Sequence, residues 1–243
     1  VLKSPYDVLD KNISLLQSAI KIGKAQKKIV RFIFASTSEV YAGTLKNYDL
    51  EFPTPETTPL TVSDLSENRT SYMLSKIYGE AMCLHSGLPI TIIRPHNFYG
   101  PRMGLSHVVP ELMKKVVECK STQLDVYSVN HKRTFCYITD AVNAIQMLAQ
   151  SKSSIGKIYN IGSDDEEITM GELSKKIIEI LGKKLAINPL PSTQGSPERR
   201  CPSIEKLRQD TEFKKQFSLD DGLKETFKWY ETNIFSGREE SAL

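Results

Sequence analysis

The chain has 243 residues, is 40% hydrophobic and 25% charged, and carries a net charge of +3. That length can bury one large core or a core plus a smaller lobe, and a charge this small and scattered argues neither for nor against a nucleic-acid partner. No apolar run approaches the ~18 residues of a membrane-spanning helix and no basic-then-apolar leader opens the sequence. Unpaired cysteines make a reducing cytoplasm the expected setting, and neither a membrane nor a nucleic acid is expected as a partner.

Val8, Leu9, Ile13, Leu16, Ile20 and Ile22 recur at helical spacing behind Pro5, which predicts a helix over residues 7–26. Residues 29–35 read as a buried strand that ends in a polar run, Ser36 to Glu39. Residues 43–68, with Pro53, Pro55 and Pro59, read as a long loop; connections beyond about 15 residues are usually functional or disordered. Residues 70–86 read as a helix stopped at Gly87, and residues 89–94 as a second buried strand. Strand, helix and strand in that order predict a parallel unit, whose ligands gather at the carboxyl ends of the strands.

Beyond Gly100 and Pro101 the predicted elements shorten. A helix is expected over 108–119, and strands over 124–128, 134–138 and 157–161. Helices are expected over 140–150, 170–181 and 219–233, with a proline-rich stretch from Pro189 to Pro202. No internal repeat is visible. The predicted fold class is α/β, with residues 1–102 belonging to a parallel sheet and 103–243 mainly to a smaller mixed lobe.

The chemistry-bearing residues cluster at the predicted strand ends. Tyr72 and Lys76 are four apart on one helix and so share a face. An ammonium beside a phenol favours the phenolate, and the hydroxyl of Thr37 can extend the relay. Such a group takes a proton from a substrate alcohol. A chance Tyr-x-x-x-Lys pairing is the plain alternative in a chain with ten tyrosines. The four cysteines, Cys83, Cys119, Cys136 and Cys201, show no metal spacing, and the histidines show none either, so no metal is expected.

Seven segments carry a resemblance when taken in order: Asn12, FASTSEVY at 34–41, Tyr72-x-x-x-Lys76, RPHNFYGP at 94–101, RTFCYITD at 133–140, YNIG at 159–162 and PERR at 197–200. Together they resemble the extended short-chain dehydrogenase/reductase family, in its NAD-dependent nucleotide-sugar epimerase, dehydratase and decarboxylase branch. The resemblance implies a Rossmann-like doubly wound sheet and transient oxidation of a nucleoside-diphosphate sugar by NAD. It makes Tyr72 the acid/base, with Lys76 and Thr37 beside it. It places Asn12, Ala35, Ser36, Pro95 and His96 along the cofactor, and Ser38, Asn97, Arg133 and Arg200 on the substrate, the two arginines at the diphosphate. It also implies a homodimer. Glu39 points towards dehydration or decarboxylation, because a carboxylate near C5 of a 4-keto sugar can move a proton there; a strand-end carboxylate is the plain alternative.

The family's glycine-rich loop, which cradles the cofactor pyrophosphate at a helix N-terminus, has no match before Asn12. The resemblance therefore implies a sheet whose first half is missing, and a non-catalytic sugar-nucleotide-binding remnant is the alternative reading. This chain alone is expected to bind NAD weakly. Calorimetric titration checks this, and tight one-to-one binding would refute it.

Overall fold

A computed structural model describes residues 4–62, 64–165, 167–193 and 196–236. Helix α1 (Pro5–Ala25) starts on a proline, whose missing N–H costs nothing in a first turn, and buries Leu16, Ile20 and Gly23 along one face. Strand β1 (Phe32–Ala35) is shorter than the predicted run. Its pairing opens at Phe32, whose N–H donates to Pro89 O, because the partner strand begins only at Ile90.

The expected loop at residue 43 begins instead as regular structure. A 3₁₀ turn (Ser38–Tyr41) runs into helix α2 (Ala42–Asn47). The reason is local: Thr37 caps the turn by accepting from Glu39 N at 3.2 Å, and no proline interrupts before Pro53. Helix α3 (Asn68–Leu84) and strand β2 (Ile90–Pro95) follow as the pattern predicts. Short strand β3 (Phe98–Tyr99), helix α4 (Val108–Glu118) and strand β4 (Gln123–Tyr127) come next.

The strand expected at 134–138 is broken up. Strand β5 (Lys132–Arg133) precedes it, strand β6 is only Cys136–Tyr137, and Ile138 already opens helix α5 (Ile138–Gln150). Asp140 in the first turn of α5 favours that early start through the helix dipole. Strand β7 (Lys157–Ile161), strand β8 (Ile168–Thr169) and helix α6 (Met170–Ile180) follow. Thr169 and Glu172 form a reciprocal capping box at the start of α6.

The proline-rich stretch is not wholly irregular. Strand β9 (Ala186–Leu190) runs into it and strand β10 (Arg199–Arg200) ends it. Helix α7 (Glu205–Thr211) was not legible in the pattern, because Leu207 is its one buried residue and leaves no apolar period to read. Helix α8 (Leu219–Tyr230) closes in a wider turn, Glu231–Phe235.

The chain divides into two compact units. The first takes the residues up to His96, then Val142–Ser163 and Pro202–Lys214; the second takes Asn97–Ala141, Asp164–Cys201 and the residues from Lys215 on. In the first unit, β1, β2 and β7 form a parallel sheet with β2 in the middle. Leu16 and Ile20 of α1 and Cys83 of α3 pack on Ile90 and Ile92 of β2, with Phe32 and Phe34 beside them. In the second unit, Val109, Met113 and Val116 of α4, Leu173 and Ile177 of α6 and Leu223 of α8 form the core around Leu124 and Val126 of β4. Its short sheets pair β4 with β9, β3 with β6, and β10 with β5 and β8. No helix among the described residues is long and apolar enough to cross a membrane.

The loop between α2 and α3 is tied to the first unit by Glu56, whose carboxylate accepts from Asn160 N at 2.8 Å. Burial raises the Glu56 pKa above the ordinary glutamate value, outweighing that bond and the nearby Lys206 and Arg94 cations. A carboxyl with a raised folded-state pKa contributes stability that is complete below the unfolded value and is lost as pH rises through the folded one. Wild type should therefore lose stability relative to Glu56→Gln as pH rises from about 4.5. Urea midpoints of both proteins at stepped pH check this, and a difference that does not change with pH would contradict it.

Candidate active site

The first unit gathers its polar residues at the carboxyl ends of β1, β2 and β7. Helix α3 places Tyr72 and Lys76 on one face, both half-buried. The Lys76 ammonium donates to Ala35 O at 2.8 Å. It also sits 5.1 Å from the centre of the Phe34 ring and 5.7 Å from that of Tyr72, the geometry of a cation over aromatic faces. Burial pulls the Lys76 pKa below the ordinary lysine value. Lys76 is thereby pinned to the last residue of β1, two positions before Thr37.

Thr37 caps the following turn through its side-chain oxygen, an acceptor role that leaves its O–H as a donor. Ser38 is buried in that turn. Glu39 is also within it, and its carboxylate lies 3.6 Å from Arg69 Nη2 in the first turn of α3. Sequence reasoning passed over Arg69, although its place three residues before Tyr72 puts it on the same helical face.

Ser36 turns its hydroxyl away from the strand end and donates to Glu80 Oε1 at 2.5 Å. Glu80 in turn accepts from Arg94 Nε at 2.9 Å and from Nη2 at 2.7 Å, both side chains almost wholly buried. Arg94 Nη1 donates to the Tyr41 hydroxyl at 2.6 Å and to Glu56 O at 3.2 Å. The Tyr41 hydroxyl donates to Asn160 Oδ1 at 2.9 Å, and burial pushes its pKa up to about 12. Asn160 Nδ2 donates to Thr54 O and Ser203 O. Its Oδ1 is therefore the acceptor facing His96 Nε2 at 3.1 Å, which places a proton on that nitrogen. Gly162, which ends the YNIG segment, lets β7 close on this cluster, since a Cβ there would lie 2.7 Å from Pro202 Cγ and 3.0 Å from His96 Cβ.

Asn12 donates to Ser75 Oγ at 2.9 Å and so joins α1 to the helix of Tyr72 and Lys76. Pro95 ends β2, half-buried. Glu80 was missed in the sequence, yet a signal existed: an arginine in an otherwise apolar strand, ITIIRP, requires a buried partner.

In the second unit, Asn97 adopts a positive φ of 43°, which asparagine tolerates better than most residues. Its Nδ2 donates to Thr134 O at 2.9 Å and its carbonyl accepts from Cys136 N. Arg133 and Arg200 are brought together as direct partners across the parallel β5–β10 pair. Arg133 is buried, with Nη1 on Lys132 O at 2.7 Å and Nη2 on Pro197 O. Arg199 turns instead to Glu167, with Nε 2.9 Å from Oε1 and Nη2 2.5 Å from Oε2.

Residues 2–162 match the NAD dependent epimerase/dehydratase family. The chain is 33% identical over 231 residues to UDP-N-acetyl-alpha-D-glucosaminuronate decarboxylase of Bacillus cytotoxicus, covering 89% of this chain and 67% of that one. It is 28% identical to UDP-glucuronic acid decarboxylase 1 of Arabidopsis thaliana, covering 91% of this chain and 50% of that one. Among solved structures it is similar to dTDP-glucose 4,6-dehydratase of Bacillus anthracis in complex with NAD, with a TM-score of 0.76 and 27% identity over 93% of this chain and 69% of that one. The chain thus spans between half and about two thirds of the length of these relatives. With a Rossmann-like parallel sheet, a Tyr-x-x-x-Lys helix at its carboxyl edge and a family match over most of its length, the chain belongs to the NAD-dependent epimerase/dehydratase family.

Proposed function

We propose that this chain carries the sugar-oxidation centre of an NAD-dependent nucleotide-sugar enzyme, acting at C4, with loss of carbon dioxide from a uronic acid sugar as the overall reaction. One observation carries the reading: the Lys76–Ala35 bond fixes the Tyr72–Lys76 face at the carboxyl end of β1, next to Thr37. Two relatives that are decarboxylases support the choice of outcome.

The donor set fits the nicotinamide end of the cofactor. An ammonium has three N–H donors; one of Lys76's goes to Ala35 O, and two are left for the hydroxyls of a ribose. Asn12, Ala35, Ser36, Pro95 and His96 are assigned to the cofactor wall. NAD, when bound, supplies hydride acceptance from C4 and its later return. Tyr72 takes the proton of the C4 hydroxyl, with Thr37 hydrogen-bonded to the same oxygen. The 4-keto group then accepts the electron pair released as the C5–C6 bond breaks and carbon dioxide departs, and one proton is returned to C5. Glu39 is assigned to that proton exchange, with Arg69 holding it in place. Ser38 and Asn97 are assigned to the sugar. Arg133 and Arg200, at partner positions on paired strands, are assigned to the diphosphate, whose oxygens match a planar fork.

A homodimer fits the packed α1–α3 pair, whose outer surfaces expose Tyr6, Leu15, Ile22, Tyr78 and Leu84. Multi-angle light scattering should give twice the chain mass, and a monomer at micromolar concentration would exclude it.

Replacing the phenol at the centre is the direct test of the chemistry. In the enzyme with NAD bound, Tyr72→Phe should lower turnover of a UDP-uronic acid by about 10²–10⁴-fold, the usual worth of a positioned acid/base, while binding of the sugar nucleotide stays within a few-fold. Unchanged turnover would remove Tyr72 from the mechanism.

A further inference from the structure

We infer that the buried Glu80–Arg94 pair is a positioning device: it sets the height and rotation of α3 so that the Lys76 ammonium meets Ala35 O. The inference rests on the proposed reaction only for the use made of Lys76.

The geometry is a two-point attachment. Ala35 and Ser36 are consecutive residues at the end of β1. Lys76 and Glu80 are one helical turn apart on α3. Lys76 Nζ bonds Ala35 O at 2.8 Å, and Glu80 Oε1 receives the Ser36 hydroxyl at 2.5 Å. A single tie would let a helix pivot or slide. Two ties about 6 Å apart along its axis resist both motions. Arg94 supplies the fixed reference. It lies on the middle strand of the sheet, paired with Asn160 of β7 and one residue past the last β1 partner, Ile93, and its fork takes both oxygens of Glu80. Gly79, beside Glu80, lets the helix come close enough, since a Cβ there would lie 2.6 Å from Phe34 Cζ.

Stability alone does not account for such a pair. Buried ion pairs exchanged for apolar residues of similar size often leave a protein as stable as before, or more so. What an apolar pair does not supply is direction, because dispersion contacts tolerate sliding that a bidentate bond does not. The burial that depresses the Lys76 pKa agrees with an ammonium held inward by its helix.

The test separates placement from folding. In protein labelled with ¹⁵N at lysine side chains and ¹³C at alanine carbonyls, Lys76 is assigned with Lys76→Arg and Ala35 with Ala35→Gly. In wild type the Lys76 signal should titrate below ordinary lysines and the Ala35 carbonyl should shift with it. The double variant Glu80→Met/Arg94→Met should keep the wild-type circular dichroism and cooperative unfolding, yet return the Lys76 midpoint to the ordinary lysine range and uncouple Ala35 from it. Wild-type signals in that folded double variant would overturn the inference. If the double variant does not fold, Ser36→Ala replaces it: a smaller shift of both signals in the same direction is expected, and no shift overturns the inference. Tyr41→Phe removes a bond to Arg94 without touching Glu80 and should leave both signals in place; an equal shift there would mean general loosening, and the inference would fail. None of these signals needs substrate or cofactor, so failure of the sugar-oxidation reading would register separately, in the turnover of Tyr72→Phe.

Discussion

A permanent positive charge buried in the middle of a three-stranded parallel sheet governs the first unit. Arg94 is only 2% exposed, and an uncompensated charge in such a place costs several kcal/mol. The surrounding chain meets that cost from three directions. Glu80 comes from α3, the Tyr41 hydroxyl from the turn after β1, and the Glu56 carbonyl from the long loop. Each is distant in sequence from Arg94, and each must arrive in one orientation for the guanidinium to be satisfied. The charge therefore acts as a register mark. It specifies how the segments after β1 return to the sheet, which apolar packing by α1 and α3 would leave less sharply defined.

That requirement also explains why the two ends of the sheet differ. Near the amino ends of the strands, Arg31 binds Ala149 O, Ser151 O and the hydroxyls of Thr91 and Ser154. These acceptors are uncharged, and four bonds from one fork fasten the end of α5 to the sheet. At the carboxyl ends the partners are a carboxylate, a phenol, an amide and an imidazole. The first arrangement is a closed staple. The second is a connected network that includes Ser36, Arg94 and His96, each next in sequence to Ala35, Thr37 or Pro95, positions assigned to cofactor and substrate. Polar networks with all members bonded hold their neighbours in one arrangement, which is what a proton relay built on loop-borne residues needs.

The second unit solves its problems with apolar packing and backbone bonds. Its core joins α4, α6 and α8, and Arg133, Arg199 and Arg200 sit on two-residue strands. Arg133 is oriented by the carbonyls of Lys132 and Pro197. Arg199 is instead matched by the carboxylate of Glu167. Asp140 works here as a structural anion, accepting from Gln216 N and Phe217 N ahead of α8.

What the sequence disclosed follows the range of the interaction involved. α1, α3, β2, β7 and α6 were legible because their apolar spacing and their stops at Gly87 or starts at Thr169 are local. So was the Tyr72–Lys76 pair, since four residues on a helix is a local distance. Helix α2 was misread as loop because glycine and nearby prolines suggest irregularity, whereas the turn capped by Thr37 leads straight into it. Helix α7 was hidden because one leucine makes no pattern. Glu80 was hidden for a different reason. On α3 it reads as one more polar position of an amphipathic helix, and only the sheet reveals that this polar position faces inward. Arg94 carried the missing information, since a strand reading ITIIRP cannot bury its arginine without a carboxylate. In a chain with 29 acidic residues the strand alone does not say which one, but the helix that leads into β2 narrows the choice: Glu80 is the only acid on α3, one turn beyond Lys76 and therefore on the face that returns to the sheet.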